Sequence, residues 1–288
     1  MTPLPCRLLL AASLVTALVR PARARPLELV VAHENLALAG AALEPSLAAF
    51  ARRIEELAGW PAQSLRAKAF TRPAEALAYI KKQHVAFAIL PVHEFIAGRK
   101  ELKLEVLGRA VGPEGVQLVF HSITRRPPPF DGIQNAAGMR VAMTDAHDLA
   151  WVSLMFDGAL DPRRLPLVET PSTAAAVQAV VAKKADIAIV PEGEWASTYE
   201  KRTQPSGDLT WTFRSGIMPP SAFVAVGKHV AANDKQKLSA AVDKICKTTG
   251  AAACGGLGVL YIEAGGADSY ASIIAAYDDL RARLRPGR

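Results

Sequence analysis

Long apolar segments are missing from most of this sequence. Beyond the first 24 residues, no stretch reaches the roughly 18–20 consecutive apolar residues that a transmembrane helix needs. With 50% hydrophobic and 21% charged residues, the composition is nevertheless that of a globular protein, and not of a disordered or collagen-like one.

Catalytic and nucleotide-binding motifs are also missing. The sequence contains no G-x-S-x-G elbow, no H-E-x-x-H helix, no Walker loop and no G-x-G-x-x-G turn. We therefore expect neither an enzyme nor a bound cofactor. The net charge is +7, and part of this excess comes from three arginines in the first 24 residues, where no acidic residue is present. The remaining charge is mild and spread along the chain without a dense basic stripe, so no nucleic-acid partner is expected.

The first 24 residues (1–24) predict a secretory signal peptide. Arg7 precedes a largely apolar run at 8–19, and small residues follow at 22 and 24. A run of this length is too short to span a bilayer, and the order of charged, apolar and small segments is typical of a cleavable export signal. We expect the mature protein to be soluble and periplasmic.

Cysteine is scarce, with 3 residues in the chain of 288. Removing the predicted signal peptide leaves Cys246 and Cys254. In an oxidising compartment such an isolated pair predicts one structural disulfide, with two free buried thiols as the alternative. Two cysteines without a nearby histidine cannot form a zinc knuckle.

The remaining chain alternates strand-like and helix-like patterns, which indicates an α/β fold. Predicted strands cover 27–32, 64–70, 85–90, 102–110, 116–121, 139–143, 165–168, 186–190, 209–214 and 222–226. Predicted helices cover 43–57, 73–82, 149–156, 173–183, 235–246 and 269–284. The continuous apolar run at 85–90 is typical of a parallel strand that is buried on both faces.

The region 71–95 resembles the region 171–195, which lies 100 residues later. Ile-Leu-Pro at 89–91 matches Ile-Val-Pro at 189–191, and an acidic and then an aromatic residue follow in both copies. Each copy has the pattern of a helix, a strand, a proline and an acidic–aromatic turn. Two copies predict two similar α/β lobes and not a solenoid.

Two facing lobes of this kind predict a ligand cleft. Loops at the carboxyl ends of strands gather at one edge of an open α/β sheet and bind ligands there, and hinge closure around a small ligand follows. The candidate residues at these strand ends are His33, Glu34, Asn35, His93, Glu94, Phe95, His147, Asp148, Glu192, Glu194 and Trp195.

Three of these candidates are histidines beside an acid. Imidazole and carboxylate together suit Zn, Cu, Ni or Fe, so His33, His93 and His147 are candidate metal ligands. The alternative is that the pairs cap helices or lie in solvent, because no H-x3-H spacing is present. Phe95 and Trp195 would instead suit an organic cation by stacking on it.

Five short segments carry a resemblance to a known family. They are LVVA at 29–32, VAFAILP at 85–91, GMRVA at 138–142, the helix and strand at 174–188, and SGIMPPSAFVA at 215–225. Their order resembles the phosphate/phosphonate-binding (PhnD-like) substrate-binding proteins of ABC importers, which have the two-lobed type 2 periplasmic-binding-protein fold.

The resemblance implies discontinuous lobes. Lobe 1 would comprise 27–110 plus 221–288, and lobe 2 would comprise 111–215. Hinge strands between the lobes would lie near 116–121 and 209–215. The chain would be an exported receptor, expected to be a monomer, that closes its lobes on a small ligand and docks on an ABC permease.

The resemblance also implies a phosphate- or phosphonate-type oxyanion as the ligand. Helix N-terminal N–H groups near Thr71, Thr144–Asp145 and Thr173 would hold it, with help from Arg72. The many nearby acids would repel a fully ionised anion unless one shares a proton with it. A transition metal, a metal chelate or an organic cation is therefore an alternative ligand, and a periplasmic sensor or adaptor lobe without transport is an alternative function.

Overall fold

The computed structural model of the protein describes residues 26–33, 36, 40–196 and 208–285. The predicted signal peptide and the candidate residues Glu34 and Asn35 lie outside this part of the chain. Within the described residues, no helix is both long enough and apolar enough to cross a membrane.

The described residues form an alternating α/β chain. The strands are β1 (Leu27–Ala32), β2 (Leu65–Phe70), β3 (Phe87–Leu90), β4 (Leu104–Val111), β5 (Phe120–Arg125), β6 (Val141–Met143), β7 (Leu167–Glu169), β8 (Ile187–Pro191), β9 (Leu209–Arg214), β10 (Ser221–Val226) and β11 (Tyr261–Ala264). The helices are α1 (Leu43–Ala58), α2 (Pro73–Lys82), α3 (Val92–Leu102), α4 (Leu149–Met155), α5 (Thr173–Val181), α6 (Glu192–Glu194), α7 (Ala232–Ser239), α8 (Ala251–Gly255) and α9 (Ala271–Arg283).

The described strands form two sheets, one in each lobe. In lobe 1 the strand order is β11-β4-β10-β3-β1-β2, and in lobe 2 it is β7-β6-β8-β5-β9. Alternate side chains of β1 enter two different apolar clusters, with Val30 and Ala32 on one face and Leu29 and Val31 on the other. Because both faces are covered, residues 29–32 of this strand are all apolar.

The repeated segment occupies the same place in both lobes. Helix α2 leads into β3, and α5 leads into β8. Strand β3 lies between the parallel strand β1 and the antiparallel strand β10. Strand β8 lies in the same way between the parallel strand β6 and the antiparallel strand β5. The two-lobed α/β fold that the repeat predicts is therefore confirmed.

Two adjacent segments connect the lobes. Residues 112–119 lead from β4 to β5, and residues 215–220 lead from β9 back to β10. The segments pair at Leu118 and Met218, where each N–H group donates to the other residue's carbonyl oxygen at 2.8 Å. This short pairing keeps the two connections side by side, which is the geometry of a hinge between two rigid sheets.

Several elements differ from the sequence pattern, and the short elements α6, α8 and β11 have no predicted counterpart. Residues 92–102 form α3, although no helix is predicted there. The sequence pattern does not show this helix because α3 is buried on most of its surface and has no clear polar face. Strand β5 lies later in the chain than the predicted strand 116–121. The prediction ended too early because Ser122 and Thr124 are polar yet buried, and so interrupt the apolar pattern. The predicted helix 235–246 ends early, at Ser239.

Cys246 and Cys254 form a disulfide in lobe 1, as the isolated pair predicts. Their Cα atoms are 5.6 Å apart, and both side chains lie in the apolar cluster that contains Ile245 and Leu257. Gly250 lies between them in sequence, where an added Cβ would come within 1.7 Å of the Ile245 carbonyl oxygen. The turn therefore needs glycine for close backbone approach.

The disulfide closes a short loop, with a sequence separation of 8. Replacing both cysteines (Cys246→Ala with Cys254→Ala) should lower the free energy of unfolding by about 2–3 kcal/mol, because the unfolded chain regains the entropy of the open loop. Urea denaturation of both proteins measures this difference. Equal midpoints would show that the disulfide does not constrain the unfolded chain.

Candidate functional site

A cleft with a cavity of about 140 Å³ lies between the two lobes. Lobe 1 contributes the carboxyl end of β1 and the first turns of α2 and α3. Lobe 2 contributes the turn after β6 and the first residue of α5. The described polar residues that line the cleft are His33, His93, Glu94, Glu114, Thr144, Asp145, Thr173, Glu194 and Ser221. Clefts at domain interfaces are common places for small-molecule sites.

Many of the sequence-predicted site residues meet in this cleft. The structure brings together His33, His93, Glu94, Thr144, Asp145, Thr173 and Glu194. They come from both lobes and are up to 161 positions apart in the printed numbering. The physical cause is the parallel arrangement of β1 with β3 and of β6 with β8, which places their carboxyl ends at the cleft.

The lining is acidic. Four of the described lining residues carry carboxylates, namely Glu94, Glu114, Asp145 and Glu194, and the described lining includes no lysine or arginine. Burial lowers the pKa of His33, against the opposing effect of Glu114. Its imidazole therefore favours the neutral form and adds little positive charge. A cleft lined by one sign of charge focuses the field and attracts the opposite sign.

His93 and Glu94 lie in the first turn of α3 and are almost fully buried, with 6% and 2% of their surface exposed. The His93 ring faces lobe 2. Its Nε2 lies 3.0 Å from Oδ2 of Asp148, and its Nδ1 lies 3.3 Å from Oδ2 of Asp145. The Trp151 ring packs beside it, with 4.9 Å between the ring centroids.

Asp148 is held in place by its role as the N-cap of α4. Its Oδ1 accepts hydrogen bonds from the N–H groups of Ala150 and Trp151, as N-cap carboxylates do. Its Oδ2 accepts the bond from His93 and a second one from the Tyr277 hydroxyl at 2.5 Å. Helices α3, α4 and α9 therefore meet at one carboxylate that joins the two lobes.

The pKa values of His93, Glu94 and Asp148 depend on one another. Burial by itself would lower the pKa of His93, but the neighbouring carboxylates raise it well above its usual range. Burial raises the pKa of Glu94, and His93 opposes that rise. Burial would also raise the pKa of Asp148, yet hydrogen bonds from His93 and Tyr277 lower it to about 2. At neutral pH the network therefore contains an ion pair between His93 and Asp148 across the lobes.

Some predicted site residues lie on the surface. Thr71 and Arg72 are exposed, and the Arg72 guanidinium pairs with Glu75 at 2.8 Å. His147 is exposed beside Glu169, with 3.4 Å between Nδ1 and Oε2. The described cleft lining does not include Thr71, Arg72 or His147.

Other predicted residues belong to the packing of the lobes. Phe95 is buried against Tyr270, with ring centroids 4.9 Å apart. Trp195 is buried in an apolar cluster of lobe 2. Glu192 is half-exposed and pairs with Arg214 at 3.3 Å. Asp148 lies just outside the cleft lining and acts on it through His93.

Sequence reasoning missed two polar lining residues and the role of Tyr277. Glu114 lies in the connection between β4 and β5, and Ser221 begins β10. The signal for Glu114 was present, since Gly112-Pro113-Glu114-Gly115 is a turn sequence at the predicted lobe boundary. Tyr277 carries no such signal, because it reads as one more apolar position of the last helix.

The Tyr277–Asp148 bond generates a stability prediction. Tyr277→Phe should lower the free energy of unfolding by about 1.5–3 kcal/mol, because a buried, charge-assisted hydrogen bond between the lobes is lost. Tyr270→Phe is the matched control, since its buried hydroxyl donates to a neutral acceptor, the Pro220 carbonyl at 2.9 Å. It should cost about 0.5–1.5 kcal/mol. Urea denaturation compares the two variants, and an equal or smaller loss for Tyr277→Phe would show that the charge of Asp148 does not strengthen its hydrogen bond with Tyr277.

The sequence matches a family model over residues 41–258, and that model describes the periplasmic substrate-binding proteins of phosphonate ABC transporters. No curated protein matches the sequence.

Solved structures share the fold at low sequence identity. A Xanthomonas citri protein bound to ATP is 13% identical, with 90% of this chain and 99% of that chain covered and a TM-score of 0.70. PhnD1 of Prochlorococcus marinus in complex with methylphosphonate is 9% identical, with 89% and 98% covered and a TM-score of 0.66. A binding protein component of an ABC phosphonate transporter from Pseudomonas aeruginosa is 13% identical, with 91% and 98% covered and a TM-score of 0.61.

These likenesses agree with the two lobes, the double connection between them and the cleft at their interface. Since the family model spans residues 41–258, this chain belongs to the periplasmic substrate-binding proteins of phosphonate ABC transporters.

Proposed function

We propose that this chain is the solute receptor of an ABC importer and that its ligand combines a phosphonate-type oxyanion with a positively charged group. The observation that carries the proposal is the lining of the interlobe cleft. Helix N-termini from both lobes line it together with four described carboxylates, and the described lining includes no lysine or arginine.

The oxyanion would bind at the helix N-termini. Pro73, Val92 and Thr173 are the first residues of α2, α3 and α5, and all three line the cleft. The positive end of the helix dipole makes such helix ends favourable for phosphate-like groups. The hydroxyl groups of Thr144 and Thr173 provide further polar contacts on the side of lobe 2.

The positive group would bind at the acidic wall. Glu114 and Glu194 both line the cleft, and the backbone of Glu114 lies against Gly193. A purely anionic ligand would be repelled by these carboxylates, whereas a zwitterion gains an attraction at each end. The ligand class that fits both features is an aminoalkylphosphonate.

Closure of the lobes would couple binding to transport. The ligand shifts an open–closed equilibrium because it contacts both lobes only when they are closed. Residues 112–119 and 215–220 are the connections that would bend, and the closed form would dock on a membrane permease. The protein acts as a binding protein and not as an enzyme, in keeping with its family.

The proposal predicts the order of ligand affinities. In isothermal titration with EDTA present, 2-aminoethylphosphonate should bind at least about tenfold more tightly than methylphosphonate, which corresponds to about 1.4 kcal/mol. Ethylamine alone should bind weakly, because it lacks the group that the helix N-termini hold. Glu114→Gln should remove most of the preference for the amino compound.

The matched control is Glu56→Gln, which removes one exposed carboxylate remote from the cleft. It should leave both affinities unchanged and so exclude a general effect of net charge. Equal binding of the two phosphonates by the unmodified protein would contradict the cationic part of the proposal. Failure of both phosphonates to bind would contradict the oxyanion part.

A further inference from the structure

We infer that His93, Glu94 and Asp145 form a binding site for a divalent transition-metal ion that joins the two lobes. One potential ligand atom from each residue lies within 4.8 Å of the others. His93 and Glu94 belong to α3 of lobe 1, and Asp145 belongs to the turn after β6 of lobe 2. Imidazole combined with carboxylates suits Zn²⁺ and its neighbours in the transition series.

Two buried atoms at this cluster have carboxylate or imidazole neighbours at only 3.3–3.7 Å. His93 Nδ1 and Glu94 Oε1 have no hydrogen bond of normal geometry within the described residues, and both are shielded from solvent. The two atoms lie 3.7 Å apart, and only 2% of the surface of Glu94 is exposed. Leaving buried polar atoms without a good hydrogen bond is unfavourable. A metal ion would replace the proton on His93 Nδ1 and bind both atoms at once.

The environment of His93 matches that of a metal ligand. Its Nε2 is bonded to Asp148 at 3.0 Å, and Asp148 is fixed in turn by Tyr277 at 2.5 Å. A histidine that binds a metal through one ring nitrogen commonly donates the other N–H to a carboxylate, which orients the ring. Here that bond presents Nδ1 to Glu94 and Asp145.

A second cluster, formed by Asp145, His147 and Glu169, has a simpler explanation. The Glu169 carboxylate accepts the backbone N–H groups of Asp145 and His147 at 2.8 and 3.1 Å. These bonds already account for the position of Glu169, and both His147 and Glu169 are exposed. The buried cluster around Glu94 is therefore the metal site that the geometry favours.

The metal would change the charge of the cleft. Three protein ligands leave at least one coordination position for water or a ligand oxygen. A divalent cation bound to Nδ1 would replace the proton that His93 carries there and offset more of the carboxylate charge, which would favour an oxyanion ligand. This consequence rests on the proposed function, whereas metal binding itself does not.

Zinc binding to the tag-free mature protein tests the inference. The protein is stripped with EDTA, dialysed and titrated with ZnCl₂ by calorimetry, after circular dichroism has shown that each variant is folded. We expect one zinc ion to bind per chain at the buried cluster. Glu94→Gln and Asp145→Asn, one in each lobe, should each weaken its affinity at least tenfold, in the range found for lost ligands and their partners.

Two further variants separate the site from general effects. Glu101→Gln removes an exposed carboxylate from the same helix as Glu94 and should leave zinc affinity unchanged. Tyr277→Phe acts through Asp148 as a positioning residue and should weaken zinc binding about tenfold without removing a ligand.

Absence of zinc binding, or binding that survives both Glu94→Gln and Asp145→Asn, would overturn the inference. Loss of binding in His147→Ala with retention in Glu94→Gln would place the ion in the exposed cluster and overturn it as well. The phosphonate titrations are therefore repeated with ZnCl₂ in place of EDTA. Failure of both phosphonates to bind under either condition contradicts the proposed function, whereas the zinc titration alone decides the metal site.

Discussion

The contact between His93 and Asp148 is the interaction on which the arrangement of the two lobes depends. It places a charged imidazole from lobe 1 against a carboxylate that caps a helix of lobe 2, and Tyr277 adds a third element to the same oxygen. A buried ion pair of this kind adds stability only when its remaining hydrogen bonds are satisfied. Asp148 meets that condition through its bonds to α4 and α9, so its pair with His93 helps to hold the two lobes together.

The same network explains why the cleft is acidic without being unstable. Carboxylates that face one another normally repel, and one of them then takes up a proton. In this cleft a protonated His93 offsets part of the charge, and burial raises the pKa of Glu94. Under the proposed function, the charge that remains would select the ligand, because a fully anionic solute would meet carboxylates from both lobes. A zwitterion, or an anion that binds together with a metal ion, would bring positive charge to these carboxylates and so reduce the repulsion.

Much of the fold followed from local patterns in the sequence. The repeat at 71–95 and 171–195 predicted two similar lobes, because a helix and a buried strand leave a clear periodic pattern. Helix α3 and strand β5 were harder to predict, since α3 is buried on most sides and β5 contains the buried polar residues Ser122 and Thr124. The cleft was predictable in outline because strand ends meet at one edge of a sheet.

The sequence by itself determined the α/β class, the two lobes and the His–acid pairs at strand ends, since each of these depends on neighbours along the chain. The tertiary structure alone decided which pairs face the cleft. His93 and Asp148 are 55 positions apart and meet where the two lobes touch. His147, beside Asp148 in sequence, is exposed to solvent. Side-chain direction at a turn and contact between lobes depend on packing across the whole chain, which no local pattern encodes.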